Sequence, residues 1–172
     1  MSVQPPPPQG AYTPPPAAHI PPPAQPGPAP GVRYSSRAGR FIAYVVDGFV
    51  IGILVGIPYF VALVLITLGA GGDNRFPAVI GAVILVIALL VGLAYRPWMW
   101  SRGGQTVGYM VMRLKVVRAA DGGPLSGGQA IGRFLGYIIS AAVFYLGFIW
   151  ILFDAKRQGW HDKLANTVVI EV

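Results

Sequence analysis

The chain has 172 residues, of which 54% are hydrophobic and only 11% charged, with a formal net charge of +7 and no cysteine. Soluble domains carry roughly 25% charged residues, so this composition argues against a water-soluble globule, and the absent cysteine excludes disulfides, thiolate chemistry and cysteine-ligated metals. On so apolar a chain the positive charge points to cytoplasmic loops and anionic lipid headgroups rather than to nucleic acid.

Residues 1–32 hold thirteen of the 17 prolines, in runs at 5–8, 14–16 and 21–23. Such a segment cannot bury apolar surface and is predicted to be disordered, sampling polyproline II. It reads either as a solvated spacer or as a docking strip for an aromatic-lined groove on a protein partner. The opening MSVQPPPPQG has no basic start and no apolar core, so it is not read as a secretory signal. Residues 1–36 are assigned to this tail and residues 37–172 to a membrane domain.

Arg33, Arg37 and Arg40 precede residues 41–68, a run of 28 whose one charge is Asp47. A helix needs about 20 apolar residues to span a bilayer, so this is the first predicted span. Pro58 predicts a kink or break near its middle. Gly48, Gly52 and Gly56 form a G-x-x-x-G-x-x-x-G stripe suited to close helix packing, within the chain or in a homo-oligomer. After a polar loop at 69–77 comes a second span, residues 78–95, 18 residues without a charge. Gly92, Tyr95, Trp98 and Trp100 mark its end, as interfacial aromatics do.

Residues 96–126 are polar, basic and glycine-rich. The stretch 111–118 alternates Met112, Leu114 and Val116 against Arg113, Lys115 and Arg118, the pattern of a strand with one wet face. Asp121, Gly122 and Gly123 supply a turn. Ser126 and Gln129 fit a capping box, so a helix is predicted to start there. Its apolar body, residues 134–153, has no charge over 20 residues. The amphipathic tail ends in a second strand-like run, 167–172, expected to pair with 111–118.

Lysine and arginine counts set orientation. Three precede the first span, one lies in the 69–77 loop, six in residues 96–133 and three in the C-terminal tail. The N-terminus and the long loop are therefore expected in the cytoplasm. A plain third crossing would put the basic tail outside and forbid the strand pairing. The preferred resolution is a re-entrant or broken helix near Ser140; the alternative is a straight third span. The expected fold is an all-α membrane bundle of two spans plus a third, re-entrant helix, with a short cytoplasmic strand pair.

Enzymatic signatures are absent: there is no P-loop, no G-x-S-x-G and no metal-ligand cluster. GGQTVG follows a span rather than a strand and reads as a tight interfacial bend, not a phosphate cradle. No cofactor is implied.

Several stretches in this order, namely Arg40 with Asp47, GGQTVGYMVMRLKVV, DGGPLS and DAKRQGWHDKLANTVVI, resemble the RDD family of small bacterial membrane proteins over about residues 37–172. The proline-rich front resembles its proline-rich antigen-like subgroup. The resemblance implies that Arg40, Asp47 and Asp162 are the arginine and two aspartates that name the family. It also implies a plasma-membrane, multi-pass location. Transport of unknown ligands has been proposed for that family, and cation/proton antiport is associated with some members, which the resemblance carries over as an expectation.

Arg40 and Asp47 are seven residues apart, about 10 Å along a helix and nearly on one face. That is too far for direct contact. An aspartate at a span's centre costs roughly 2.5–3.5 kcal/mol. Asp47 therefore reads either as one half of a packing ion pair, with Arg133 the preferred partner, or as a proton- or cation-exchanging carboxylate. Asp162 reads as a second cap meeting Arg40, or as a solvated charge on the tail. A lone His161 reads as surface decoration. Arg40, Asp47, Asp162 and Arg133 form the expected charge cluster. The expected function is a membrane scaffold or adaptor whose tail recruits partners and whose helices bind a second copy or another membrane protein. The alternative is a small ion or solute transporter using Asp47.

Overall fold

The computed structural model describes residues 27–29 and 31–172; of the polyproline reading of residues 1–32, residues 1–26 and 30 lie outside them. Two long apolar helices dominate. The first runs from Arg37 to Ala70, as α1 (Arg37–Ile51), a π-helical stretch (Gly52–Gly56) and α2 (Ile57–Ala70). Ser36 caps its start by accepting the Gly39 amide. The expected break at Pro58 is not made. Proline lacks an N–H and crowds the preceding turn, and the wider π turn just ahead of it places Pro58 in the first turn of α2, where no donor is needed.

A short turn leads into α3 (Phe76–Gly103), 28 residues or roughly 42 Å long. A hydrocarbon core is about 30 Å thick, so α3 extends beyond its apolar stretch and carries Arg96, Pro97 and Trp100 past it. α2 and α3 pack through small residues. A Cβ on Gly81 would lie 2.6 Å from the Ala62 carbonyl oxygen, and one on Gly69 would lie 2.5 Å from the Ala78 nitrogen. Gly48, Gly52 and Gly56 are not used this way: a Cβ on any of them meets nothing within 4 Å. Most other large apolar side chains of both helices point outward, Phe49 at 72% exposed. Both helices are long and apolar enough to cross a membrane.

Gly104 ends α3 in the left-handed region, φ 71°, and a short helix α4 (Val107–Val111) follows. The strand predicted over 111–118 begins three residues late, as β1 (Leu114–Arg118), because Val111 closes α4 and Arg113 turns the chain at φ 52°. β1 pairs antiparallel with β2 (Thr167–Glu171), Leu114 opposite Glu171 and Arg118 opposite Thr167. Residues 33–36, placed in the tail from sequence, extend this sheet. Tyr34 bridges Ile170, the Ser35 amide donates to Val169 O, and the Glu171 amide donates to Arg33 O.

The third apolar run is broken. α5 (Gly127–Ala142) opens with the Ser126–Gln129 capping box. The chain then turns at 143–145, where Phe144 and Tyr145 have φ 48° and 59°, into α6 (Leu146–Ile149) and a 3-10 turn. The two arms differ in direction by 111°. Ser140 lies at the close contact: a Cβ on Gly147 would come 2.2 Å from its hydroxyl. This bend brings the tail, with α7 (Trp160–Leu164), back beside α5.

Candidate functional site

Asp162 is at the centre of the first polar cluster. It sits in the first turn of α7, where its Oδ2 accepts the Gly159 amide at 2.8 Å. Arg40, from the first turn of α1, donates through Nη1 to Asp162 Oδ2 at 2.8 Å and to the Arg157 carbonyl at 2.6 Å. Arg133, from α5, pairs with Asp162 Oδ1 and donates to Thr167 Oγ1 at 2.7 Å. All three charged side chains are at most 1% exposed. One carboxylate thus ties together α1, α5, α7 and β2. The face of Trp100 lies 4.8 Å from the Arg133 guanidinium and disperses part of its charge.

Burial alone would raise the Asp162 pKa; Arg133 and Arg40 outweigh it and hold the carboxyl well below the usual carboxylate range. His161 is also fully buried, not surface decoration. Its ring lies 4.2 Å from that of Tyr137 and 5.1 Å from that of Phe148. Burial pushes its pKa well below the ordinary value; Asp162 opposes this, and the neighbouring arginines add to it. The imidazole is therefore neutral at neutral pH beside an ionised Asp162. Close approach of α7 requires Gly136, whose Cβ would come 2.6 Å from His161 Cα.

Asp47 forms a separate site. Its Oδ2 accepts from Thr106 Oγ1 at 2.7 Å, and its Oδ1 accepts from the Gly108 amide at 2.8 Å and Tyr95 Oη at 3.1 Å. The expected Asp47–Arg133 ion pair is not formed; Arg133 is taken by Asp162. The reason is depth. Asp47 lies two turns along α1 from Arg40, which shares Asp162 with Arg133, and is met instead by the bend after α3. Among the described residues no cation reaches it, and three neutral donors satisfy it instead. The bend is GQTVG: Thr106 caps α4, and Gly108 lets that backbone touch α1, since a Cβ there would come 2.1 Å from the Ala43 carbonyl oxygen. Of the four residues expected to cluster, the fold brings Arg40, Asp162 and Arg133 together and leaves Asp47 apart. Sequence reasoning missed Thr106 and Gly108 as donors to Asp47, read Tyr95 only as an interfacial aromatic, and missed Tyr109, whose hydroxyl accepts from Arg133 Nη2 at 3.4 Å. The signal available was a Gly-polar-Thr-Gly bend directly after a span that carries a lone acid.

Among the described residues no three His, Asp or Glu side chains converge as metal ligands would. The RDD family profile matches residues 34–166. The chain belongs to the RDD family. It is 33% identical over 157 residues to a proline-rich antigen homolog of Mycobacterium tuberculosis, covering 83% of this chain and 65% of that protein. It is 32% identical over 157 residues to the proline-rich antigen of Mycobacterium leprae, covering 83% and 63%. The chain thus spans slightly under two thirds of these mycobacterial relatives. An uncharacterized Bacillus subtilis protein, YxaI, is 32% identical over 143 residues, covering 76% of this chain and 93% of that one. No solved structure gives a significant match. The matched region begins at Tyr34, where the chain joins the sheet, and includes all of Arg40, Asp47, Arg133 and Asp162.

Proposed function

We propose that this RDD-family chain is a membrane scaffold or adaptor, held in the bilayer by two spans, with its N-terminus and strand pair in the cytoplasm. The observation that carries this reading is the closure of both acidic sites. Asp162 is fixed by two guanidiniums and Asp47 by three neutral donors, all from within the chain. Groups so completely satisfied hold a shape; an exchanging carboxylate needs an open coordination position or a wet path. The assembly face in this reading is the unused glycine stripe of the first span. Val45, Gly48, Phe49, Gly52 and Ile53 line a shallow groove of about 340 Å³ there, open to a helix of a second copy or of another membrane protein. The proline-rich segment supplies the second contact, to a soluble partner.

Two experiments test this. Deleting residues 1–32 should abolish partner capture in a crosslinking pull-down while leaving membrane insertion intact; an unchanged set of captured proteins counts against the adaptor role. The rival reading, cation/proton exchange at Asp47, predicts pH-dependent cation flux in proteoliposomes that Asp47→Asn abolishes. Such flux in the wild type, lost in a correctly folded variant, would replace the scaffold reading.

A further inference from the structure

A cavity of about 680 Å³ lies between the start of α1, the end of α3, α5 and α6. That is within the roughly 300–1,000 Å³ typical of small-molecule sites. Its walls are mostly apolar or aromatic, with Phe41, Ile138, Ile149 and three tyrosines among them, and its charged residues are three arginines: Arg37, Arg40 and Arg96. Phe41 is 67% and Ile138 51% exposed, so the apolar side opens onto the surface that faces lipid. The arginines sit where the spans meet the polar segment.

The charges around this cavity do not balance. Asp162 is one carboxylate facing two buried guanidiniums, and its neighbour His161 is neutral. Arg40 is 1% exposed, yet its Nε and Nη2 have no hydrogen-bond partner among the described residues, and neither has Arg96 Nε. Arg96 rests on the Tyr137 ring at 5.0 Å, and neither it nor Arg37 forms a salt bridge among the described residues.

The chain has no acid left to supply the missing charge. Six Asp and Glu residues exist. Asp162 is paired as described, Asp47 with its three donors, Asp121 with Arg118, and Asp154 with Lys163. Glu171 accepts the Ser36 amide at the sheet. Asp73 lies in the turn at the far end of α3, roughly 30 Å from Arg96 along the helix. Residues 1–32 contain no acid at all.

We propose that this cavity is a binding site for an anionic phospholipid of the surrounding bilayer, its phosphate headgroup on Arg37, Arg40 and Arg96 and an acyl chain along Phe41, Ile138 and Ile149. The headgroup supplies the acceptors that the buried guanidinium edges lack. The tail replaces water on an apolar wall already continuous with the lipid-facing surface. A small inorganic anion would satisfy the arginines but leave that wall unfilled. A zwitterionic lipid brings its own cation into a pocket already in positive excess.

The test uses the full chain, delipidated in mild detergent. Retained lipid is counted by native mass spectrometry, and thermal stability is followed on adding phosphatidylglycerol, phosphatidylcholine, oleate or inorganic phosphate. Phosphatidylglycerol should be retained as one molecule and raise the melting temperature; the other three should do so weakly or not at all. Arg37→Gln with Arg96→Gln should weaken retention roughly tenfold or more, since each charge-assisted hydrogen bond carries about that factor. Ile138→Trp, which fills the cavity and leaves the arginines in place, should do the same. Arg102→Gln, whose guanidinium lies on Trp98 instead, should leave retention unchanged. Equal retention of phosphatidylcholine, equal stabilisation by phosphate or oleate alone, or wild-type retention in both cavity variants would overturn the proposal.

Discussion

The two buried aspartates of this chain solve one problem in opposite ways. Asp162 lies at the polar end of the molecule and is neutralised by charge, between two guanidiniums. Asp47 lies deeper, within the first span, and is satisfied by hydrogen bonds, with a hydroxyl, a phenol and a backbone amide directed at it. The difference follows from what each depth permits. An arginine can reach the Asp162 level from a helix start and keep the rest of its stem in an apolar setting. A guanidinium carried down to Asp47 would itself need desolvating, at a cost of several kcal/mol per ion. Short neutral donors on a backbone bend avoid that cost. Asp162 joins α1, α5, α7 and β2, whereas Asp47 fastens the end of α3 and the bend after it to α1.

The contrast is broken most severely at Asp162. Replacing it with asparagine leaves two buried arginines without a counter-charge and should cost about 3–5 kcal/mol, read as a large fall in melting temperature or loss of expressed protein. Asp47→Asn keeps the shape but only one acceptor oxygen. It should cost less, about 1.5–3 kcal/mol, the worth of a charged hydrogen bond or two, with membrane insertion intact. If Asp47→Asn were the more damaging of the two, the ranking of charge pairing over neutral donors would be wrong.

Close packing sharpens the same comparison. Gly108→Ala pushes the donor bend off α1 and should cost about 1–3 kcal/mol, because its methyl meets the Ala43 carbonyl. The neutral state of His161 adds a pH dependence confined to the Asp162 side. Its folded pKa is depressed below the unfolded value of about 6.5, so the unfolded chain binds the extra proton. Stability is full above that value and falls as pH drops below it. Asp162, also depressed, begins to contribute loss only below about pH 4. Thermal unfolding between neutral and mildly acid pH should show the first decline in the wild type and its absence in His161→Phe. The smallest effect belongs to Gly48→Ala and Gly52→Ala. Their methyls meet open space, so monomer stability should change by less than about 0.5 kcal/mol while crosslinked dimer is lost if the stripe serves assembly.

Much of the fold was legible because apolar runs leave few choices. The two spans, the capping box at Ser126, the turn before it and the pairing of the two strand-like runs follow from pattern, although the face of β1 expected to be wet is covered: Val117 and Val168 are buried with Tyr34. The broken third run was the preferred of two readings and came from an argument about side, not from pattern: pairing the two strands favoured a turn within residues 134–153 over a straight third span, and the chain does bend there, by 111°. What stayed hidden depended on depth and on backbone. The Arg133–Asp47 pairing failed because sequence spacing fixes a residue's height on its own helix but not the height of a neighbouring one. Pro58 did not break its helix because a π turn absorbed it, and no residue code announces that. His161 reads as a surface residue beside an aspartate; only the return of α7 onto α5, allowed by Gly136, buries it.

A double-mutant cycle on Asp162 and Arg133, using Asp162→Asn and Arg133→Met with unfolding free energies measured in one detergent, tests the central claim most directly. Strong coupling is expected, with the second substitution costing at least about 2 kcal/mol less once the first is present, since each alone strands a buried partner. Additive losses would contradict it and mean that these charges do not hold the helices together.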